Sequence, residues 1–416
     1  MFTKMQTLIN DPDALEQLYR RNKREFVASF GSVFAMHPDS ILLQAWRARL
    51  EYGQSNKQPR LSSIDLIVLV GLCFLAGFLL ELPLPYWAGF ALDKDLFFSR
   101  YFVLIPFATM AAFTLYMRGW PRKNLLLLAG FVLVPAIYIP FVPELWDDVF
   151  SLACLHMPFF FWYAYGLIRN GQRWRESEAR IEYIRFSGEM LILSGLLLLG
   201  GIILFFLTSS LFDMLNWGNY WLFKRMGTFG MAAIPLVAAW ATDTYSAARR
   251  IVPLMARIFA PLLLVLIVAY MLAMAWNLAA LFHERNTLQL YNILLFFVLI
   301  TVAFTLTERR QQGNGSLVNG MLGWMLAATL VLDVVGICAI GWRIWEYGGF
   351  TPNRLAVLGF NLVVSGNLTV LLRGYWKYWR GNVSMEDVEK VLASYLPVYG
   401  AWAAFAIFVL PWIFRY

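Results

Sequence analysis

Cysteine, histidine and charge are all scarce in this chain of 416 residues. The three cysteines, Cys73, Cys154 and Cys338, each lie inside an apolar run and form no CxxC pair, so neither a disulfide framework nor a zinc site is expected. A free cysteine in such a run behaves as a small buried hydrophobe. Three histidines are too few for a His-based metal site. Asp, Glu, Lys and Arg make up 14% of the chain, against about 25% in an average soluble domain. That excludes an ordinary cytosolic enzyme, a disordered chain and a nucleic-acid binder. There is no GxxxxGK phosphate loop, no GxSxG elbow and no HExxH helix. No catalytic, cofactor-binding or metal-ligating set is therefore assigned, and an enzyme acting on lipid-linked substrates is the weakest of the functional readings.

What the chain does have is apolar length. Apolar and aromatic residues reach 60%, and the mean hydropathy is +0.60. The reading is an all-α, polytopic transmembrane bundle of about eleven spans over residues 61–416, preceded by a small helical cytoplasmic cap over 1–60. In the cap, Asn10 or Asp11 can cap a helix that has Pro12 at its first position and Leu15, Leu18 and Tyr19 at helical spacing. A second helix near Arg24 to Met36 stops at the His37-Pro38-Asp39-Ser40 turn, and Ile41 to Tyr52 forms a third. Sixty residues are marginal alone, so the cap is expected to pack on the bundle.

A span needs about 20 apolar residues, because the hydrocarbon core is roughly 30 Å thick and a helix rises 1.5 Å per residue. The expected spans are 64–82, 100–117, 125–143, 149–168, 188–207, 224–242, 258–281, 287–307, 320–342, 354–372 and 396–413. With the N-terminus inside, 26 of the 34 Lys and Arg fall in the cap and inner loops, as the positive-inside bias requires. This register puts the C-terminus outside. The net charge of +8 is then a topology signal. It suits the lipid bilayer and anionic lipid headgroups as partners, and it needs no nucleic acid. The densely charged segment Arg169 to Arg185 reads as a helical extension into the cytoplasm. Ser384 to Tyr395 reads as an interfacial helix with capping-box spacing at Ser384 and Asp387. Its apolar face carries Val388, Val391, Leu392 and Tyr395, and its polar face Glu386, Glu389 and Lys390. Gly195, Gly200 and Gly201 are expected to allow close helix packing.

Intramembrane polar residues ask for a reason, since an ionisable group at a span centre costs roughly 2.5–3.5 kcal/mol on insertion scales. Asp333 is expected about 14 Å inside the outer end of its span. His156 and Asn361 lie at about 10 Å. The three could form one polar cluster in the outer half of the bundle, where a carboxylate beside a histidine relays protons. The plainer reading is an interhelical hydrogen-bond network. Glu189, four residues after Arg185, is explained by an i,i+4 ion pair. Glu81 lies at a span end and is given no role. In the outer loop, Arg343 and Glu346 could pair if the helix continues, Thr351 can cap the next helix with Pro352 at its first position, and Arg354 either pairs with Glu346 or binds an anionic group.

That loop also carries a resemblance. Glu346-Tyr347-Gly348 and Phe350-Thr351-Pro352-Asn353-Arg354, with Arg180-Ile181-Glu182-Tyr183-Ile184-Arg185, His156-Met157-Pro158, Tyr395-Leu396-Pro397 and Asn10-Asp11-Pro12-Asp13-Ala14-Leu15-Glu16, resemble an uncharacterised family of bacterial multi-pass inner-membrane proteins, a domain of unknown function. The extra Gly349 departs from its pattern. The resemblance implies a bacterial inner membrane and an all-helical bundle, and it brings no activity or site residue. Two readings then compete. One is a transporter or permease of a small solute, proton-coupled through the polar cluster. The other is a non-catalytic scaffold or sensor that docks a protein partner through the cap and charged loops.

Overall fold

The computed structural model describes residues 2–9, 11–55, 62–83, 93–138, 147–214, 221–244, 261–272, 275, 285–308 and 316–414. Helix is the only regular structure among them. The chain divides into two compact units, Met1–Ser62 and Ser63–Tyr416.

The first unit has four helices where three are expected: α1 (Phe2–Thr7), α2 (Pro12–Arg21), α3 (Lys23–Met36) and α4 (Ile41–Ser55). The helix starts follow local chemistry. Asp11 accepts from the Ala14 amide at 3.0 Å with Pro12 in the first turn, and Asn22 accepts from the Glu25 amide at 3.3 Å. Each satisfies an amide that a helix start leaves orphaned. Met5, Leu15, Phe26, Phe30, Val33, Leu43, Trp46 and Leu50 form the core. Met5 belongs to the unexpected α1, which is too short for a period to emerge from the sequence. Arg49 lies 4.6 Å from the Trp46 ring centre and pairs with Glu16 at 2.5 Å.

In the second unit the helices are α5 (Ser63–Glu81), α6 (Lys94–Tyr101), α7 (Leu104–Met117), α8 (Arg122–Tyr138), α9 (Asp147–Asn170), α10 (Ser177–Met214), α11 (Trp221–Thr244), α12 (Pro261–Leu272), α13 (Arg285–Glu308), α14 (Ser316–Glu346), α15 (Pro352–Trp379), α16 (Met385–Ser394), α17 (Leu396–Phe408) and α18 (Leu410–Ile413). Among the described residues, seven stretches are long and apolar enough to cross a membrane: 63–81, 94–117, 148–175, 177–211, 320–346, 352–379 and 385–408. The chain is thus a membrane protein whose described residues are helical. The other four expected spans fall on helices that do not meet that measure. α8 stops at Tyr138 after 17 residues, and 139–143 lie outside the described residues. α11 is long enough but carries Arg225 and Asp243. Over 258–281 only α12 and residue 275 are described, and α13 contributes a shorter apolar stretch, Asn292–Thr307.

Three local expectations are corrected. The charged segment after α9 does not prolong that helix. It turns at Gly171, with φ +56°, through a 3-10 turn at Gly171–Arg175, and Trp174 is buried against Tyr163 and Tyr183. Burying that indole outweighs continuing a straight helix. α16 lays its apolar face on α10, α13 and α15, but Glu389, expected on the polar face, is buried beside Val388, Leu392 and Ala393, while Glu386 and Lys390 stay exposed. Its capping box does form, with the Ser384 amide donating to Asp387 at 2.9 Å. Gly195, Gly200 and Gly201 pack against nothing among the described residues, since a Cβ at any of them would meet open space. They lie on α10, which runs for 38 residues and leaves its outer half, including Leu198, Ile203, Leu207 and Leu211, exposed along the apolar surface.

Candidate functional site

α14 and α15 are antiparallel neighbours joined by a tight turn. α14 ends in a Schellman pattern: Gly348 has φ +70°, and the Gly349 amide donates to the Ile344 carbonyl at 2.9 Å. Gly349 itself has φ +115°, a conformation open to glycine, so the additional residue in this loop is one the turn can use. Thr351 accepts from the Arg354 amide at 3.3 Å and starts α15 with Pro352 in its first turn. Arg354 does not pair with Glu346. Its guanidinium donates to the Gly349 carbonyl at 2.8 Å and lies 5.6 Å from the Tyr347 ring centre. Glu346 makes no ion pair with Arg354 or Arg343 among the described residues. Arg354 therefore closes the turn, because two flexible, solvent-exposed charges gain little by meeting.

The long α14 places Asp333 at the middle of its apolar stretch. It sits 13 residues from Gly320 and 13 from Glu346, at the two ends of its apolar stretch, or about 20 Å from each. Across the turn, the residue at the same height is Ser365, so Asn361 lies about one turn and Asn367 about half a turn from the level of Asp333, on either side of it. All three side chains are fully buried. α17 closes this layer: the Asn367 amide donates to the Tyr399 hydroxyl at 2.9 Å. Two glycines of α15 let the helices come this close. A Cβ at Gly359 would run into the Trp402 ring, and one at Gly366 would run into the Tyr395 hydroxyl.

His156 does not join this layer. Its Nδ1 lies 2.8 Å from the Leu152 carbonyl one turn back on α9. A carbonyl only accepts, so this bond fixes the proton on Nδ1. The ring lies 6.4 Å from Trp402 and 6.5 Å from Phe159, centre to centre. No hydrogen bond or ion pair links it to Asp333 or Asn361 among the described residues. A helical histidine can satisfy its own donor within the helix, which removes the need for a carboxylate. Of the three residues expected to cluster, then, Asp333 and Asn361 lie within about one turn of each other in height, and no bond joins His156 to either among the described residues. Glu189 is buried on α10, while Arg185 one turn before it donates to the Thr307 carbonyl of α13, 3.1 Å from Nε.

The span-centre criterion that selects Asn361 passes over Asn367, which meets it equally well. Tyr399 gives no such signal, because a tyrosine near a span end reads as part of the aromatic belt. The layer can do two things chemically. Asp333 brings a carboxyl group, and Tyr399 a hydroxyl that can donate as well as accept a hydrogen bond. Asn361 has both amide atoms buried and bonded to nothing among the described residues, so it presents a donor pair and an acceptor to whatever enters. Comparison with family models, curated proteins and solved structures returns no match to this chain.

Proposed function

We propose that the chain is a transporter or permease of a small polar solute, and that the solute passes the buried layer of Asp333, Asn361, Asn367 and Tyr399. Asn361 carries this reading. A fully buried amide with neither atom bonded costs about 1–3 kcal/mol per group, and such a cost persists where a ligand relieves it. Proton coupling would run through Asp333, the carboxyl group of the layer. The setting proposed with it is a bacterial inner membrane, with eleven spans, the N-terminal unit in the cytoplasm, the C-terminus outside and kinship to the uncharacterised family named above. Flux measured in proteoliposomes at pH 5.5 and 7.5 tests this. Asp333→Asn should abolish the pH dependence, and unchanged flux in that variant would remove the layer from the pathway.

The scaffold reading has one observation in its favour. Residues 2–55 close a hydrophobic core of their own, an arrangement suited to presenting a docking face. A protein partner recovered stoichiometrically from gently solubilised membranes, together with silent proteoliposomes, would favour it.

A further inference from the structure

A buried carboxylate on different helices is short of hydrogen-bond donors but not of opposite charge. Glu81, at the end of α5, lines a cavity of about 260 Å³ between α5, α6 and α11. Its side chain is 2% exposed, and neither carboxylate oxygen has a hydrogen bond among the described residues. Arg225 of α11 approaches to 3.7 Å, which offsets the charge but is too long for a hydrogen bond. The lone pairs therefore still need O–H or N–H groups. A cationic group at Glu81 would meet the guanidinium already beside it. An anionic group is disfavoured at the rim, where exposed Asp93 and Asp95 flank exposed Lys94 in the chain and leave that segment one net negative charge. What fits is an uncharged donor. The rest of the lining is mostly apolar, with Leu80 and Phe98 beside the carboxylate and Phe102 and Met231, about half exposed at 50% and 52%, on the apolar surface. Glu81 ends α5 and Lys94 begins α6, so the cavity lies where helices end, at headgroup depth.

We propose that this cavity binds an uncharged lipid whose headgroup carries two adjacent hydroxyls, as in a monoacylglycerol or a glycosylated diacylglycerol. The two O–H groups donate to the two Glu81 oxygens. The carbons between them meet the apolar wall, and the acyl chain leaves past Phe102 and Met231 into the bilayer. A headgroup with a phosphodiester carries its charge to the Asp93–Asp95 rim, even when it ends in the same diol. A headgroup with methylated hydroxyls keeps its shape and has nothing to donate.

The test uses the full chain in phosphatidylcholine vesicles carrying equal small mole fractions of four lipids, read by lipid retained on the purified protein. The four are a monoacylglycerol, a monoglucosyl diacylglycerol, phosphatidylglycerol and the dimethyl ether of the monoacylglycerol. At least one of the two neutral diols should be retained about tenfold over the dimethyl ether and over phosphatidylglycerol, the scale of one hydrogen bond to a charged group. Which of the two is retained tells a glyceride from a sugar headgroup. Glu81→Met removes both acceptors and should bring the diol down to the level of its ether. Met231→Trp changes a half-exposed residue at the mouth and should lower retention without unfolding the chain. Equal retention of diol and ether overturns the assignment, because water alone would then fill the cavity. Phosphatidylglycerol matching the neutral diols overturns it too, as does retention unchanged in either variant. Displacement by free glycerol at the concentration of the lipid would also overturn it, because the site would then take a soluble polyol.

Discussion

Asn361 and Asn367 are two buried amides on one helix with opposite bonding, and they should respond oppositely to the same change. Asn367→Leu breaks the bond to Tyr399 and should destabilise by about 0.6–1.7 kcal/mol, the range measured for hydrogen bonds between membrane helices. Asn361→Leu removes two unbonded polar atoms at nearly constant volume and should stabilise by about 1 kcal/mol in the absence of solute. Thermal unfolding of both variants in one detergent reads the sign. If Asn361→Leu also loses stabilisation by a transported solute, the amide is a ligand contact. Glu16 offers a pH-dependent counterpart in the N-terminal unit. Hydrogen bonds from Arg49 and then Arg20 hold its carboxyl below the usual carboxylate range. A lowered folded value means that the contribution is present above about pH 4.3 and lost as pH falls through that lowered value. Protection of the α2 and α4 amides, taken relative to the intrinsic exchange rate at each pH, should therefore fall below about pH 4, and Arg49→Gln should show the lower protection already at neutral pH.

Helix contacts divide the glycines more sharply than sequence spacing does. Gly359 faces the Trp402 ring, and Gly359→Ala should cost about 1–3 kcal/mol by overpacking. Gly195 faces open space, and Gly195→Ala should be neutral or gain up to about 1 kcal/mol from helix propensity. Melting temperatures of the pair decide it, and equal losses would mean that Gly195 has a neighbour. This contrast marks what was legible in the sequence. Caps at Asp11, Thr351 and Ser384 were legible because capping is a matter of three or four adjacent residues. The apolar stretches were legible because hydropathy is a sum along the chain. Which glycine meets which ring depends on the neighbouring helix, and no local signal carries that. The site behaved the same way. Asp333 and Asn361 stood out by cost, whereas Tyr399 resembled a belt residue and Glu81 a helix end. Only the fold shows that α17 brings the first against Asn367, and that the second is buried beside α6 and α11.

At the scale of the whole molecule, eleven spans and seven predict different sides for the corner between α9 and α10. With eleven, Arg173 faces the N-terminal unit's side of the membrane. With only the seven apolar stretches crossing, it faces the opposite side. Arg173→Cys, in a chain with Cys73, Cys154 and Cys338 replaced, should be labelled by an impermeant thiol reagent only from the cytoplasmic face, and labelling from outside would remove the eleven-span register. The length of α10 bears on the membrane itself. Thirty-eight residues make a rod of about 57 Å, longer than the roughly 40–45 Å of a bilayer with its headgroups, and its run from Met190 to Leu211 covers about 33 Å. No residue of its most apolar window is fully buried among the described residues. A change in bilayer thickness is therefore felt along this largely exposed rod, through tilt or local thickening at a fraction of a kcal/mol per ångström. α10 thus behaves as a hydrophobic gauge, setting the range of acyl-chain lengths in which the rest of the bundle sits without strain.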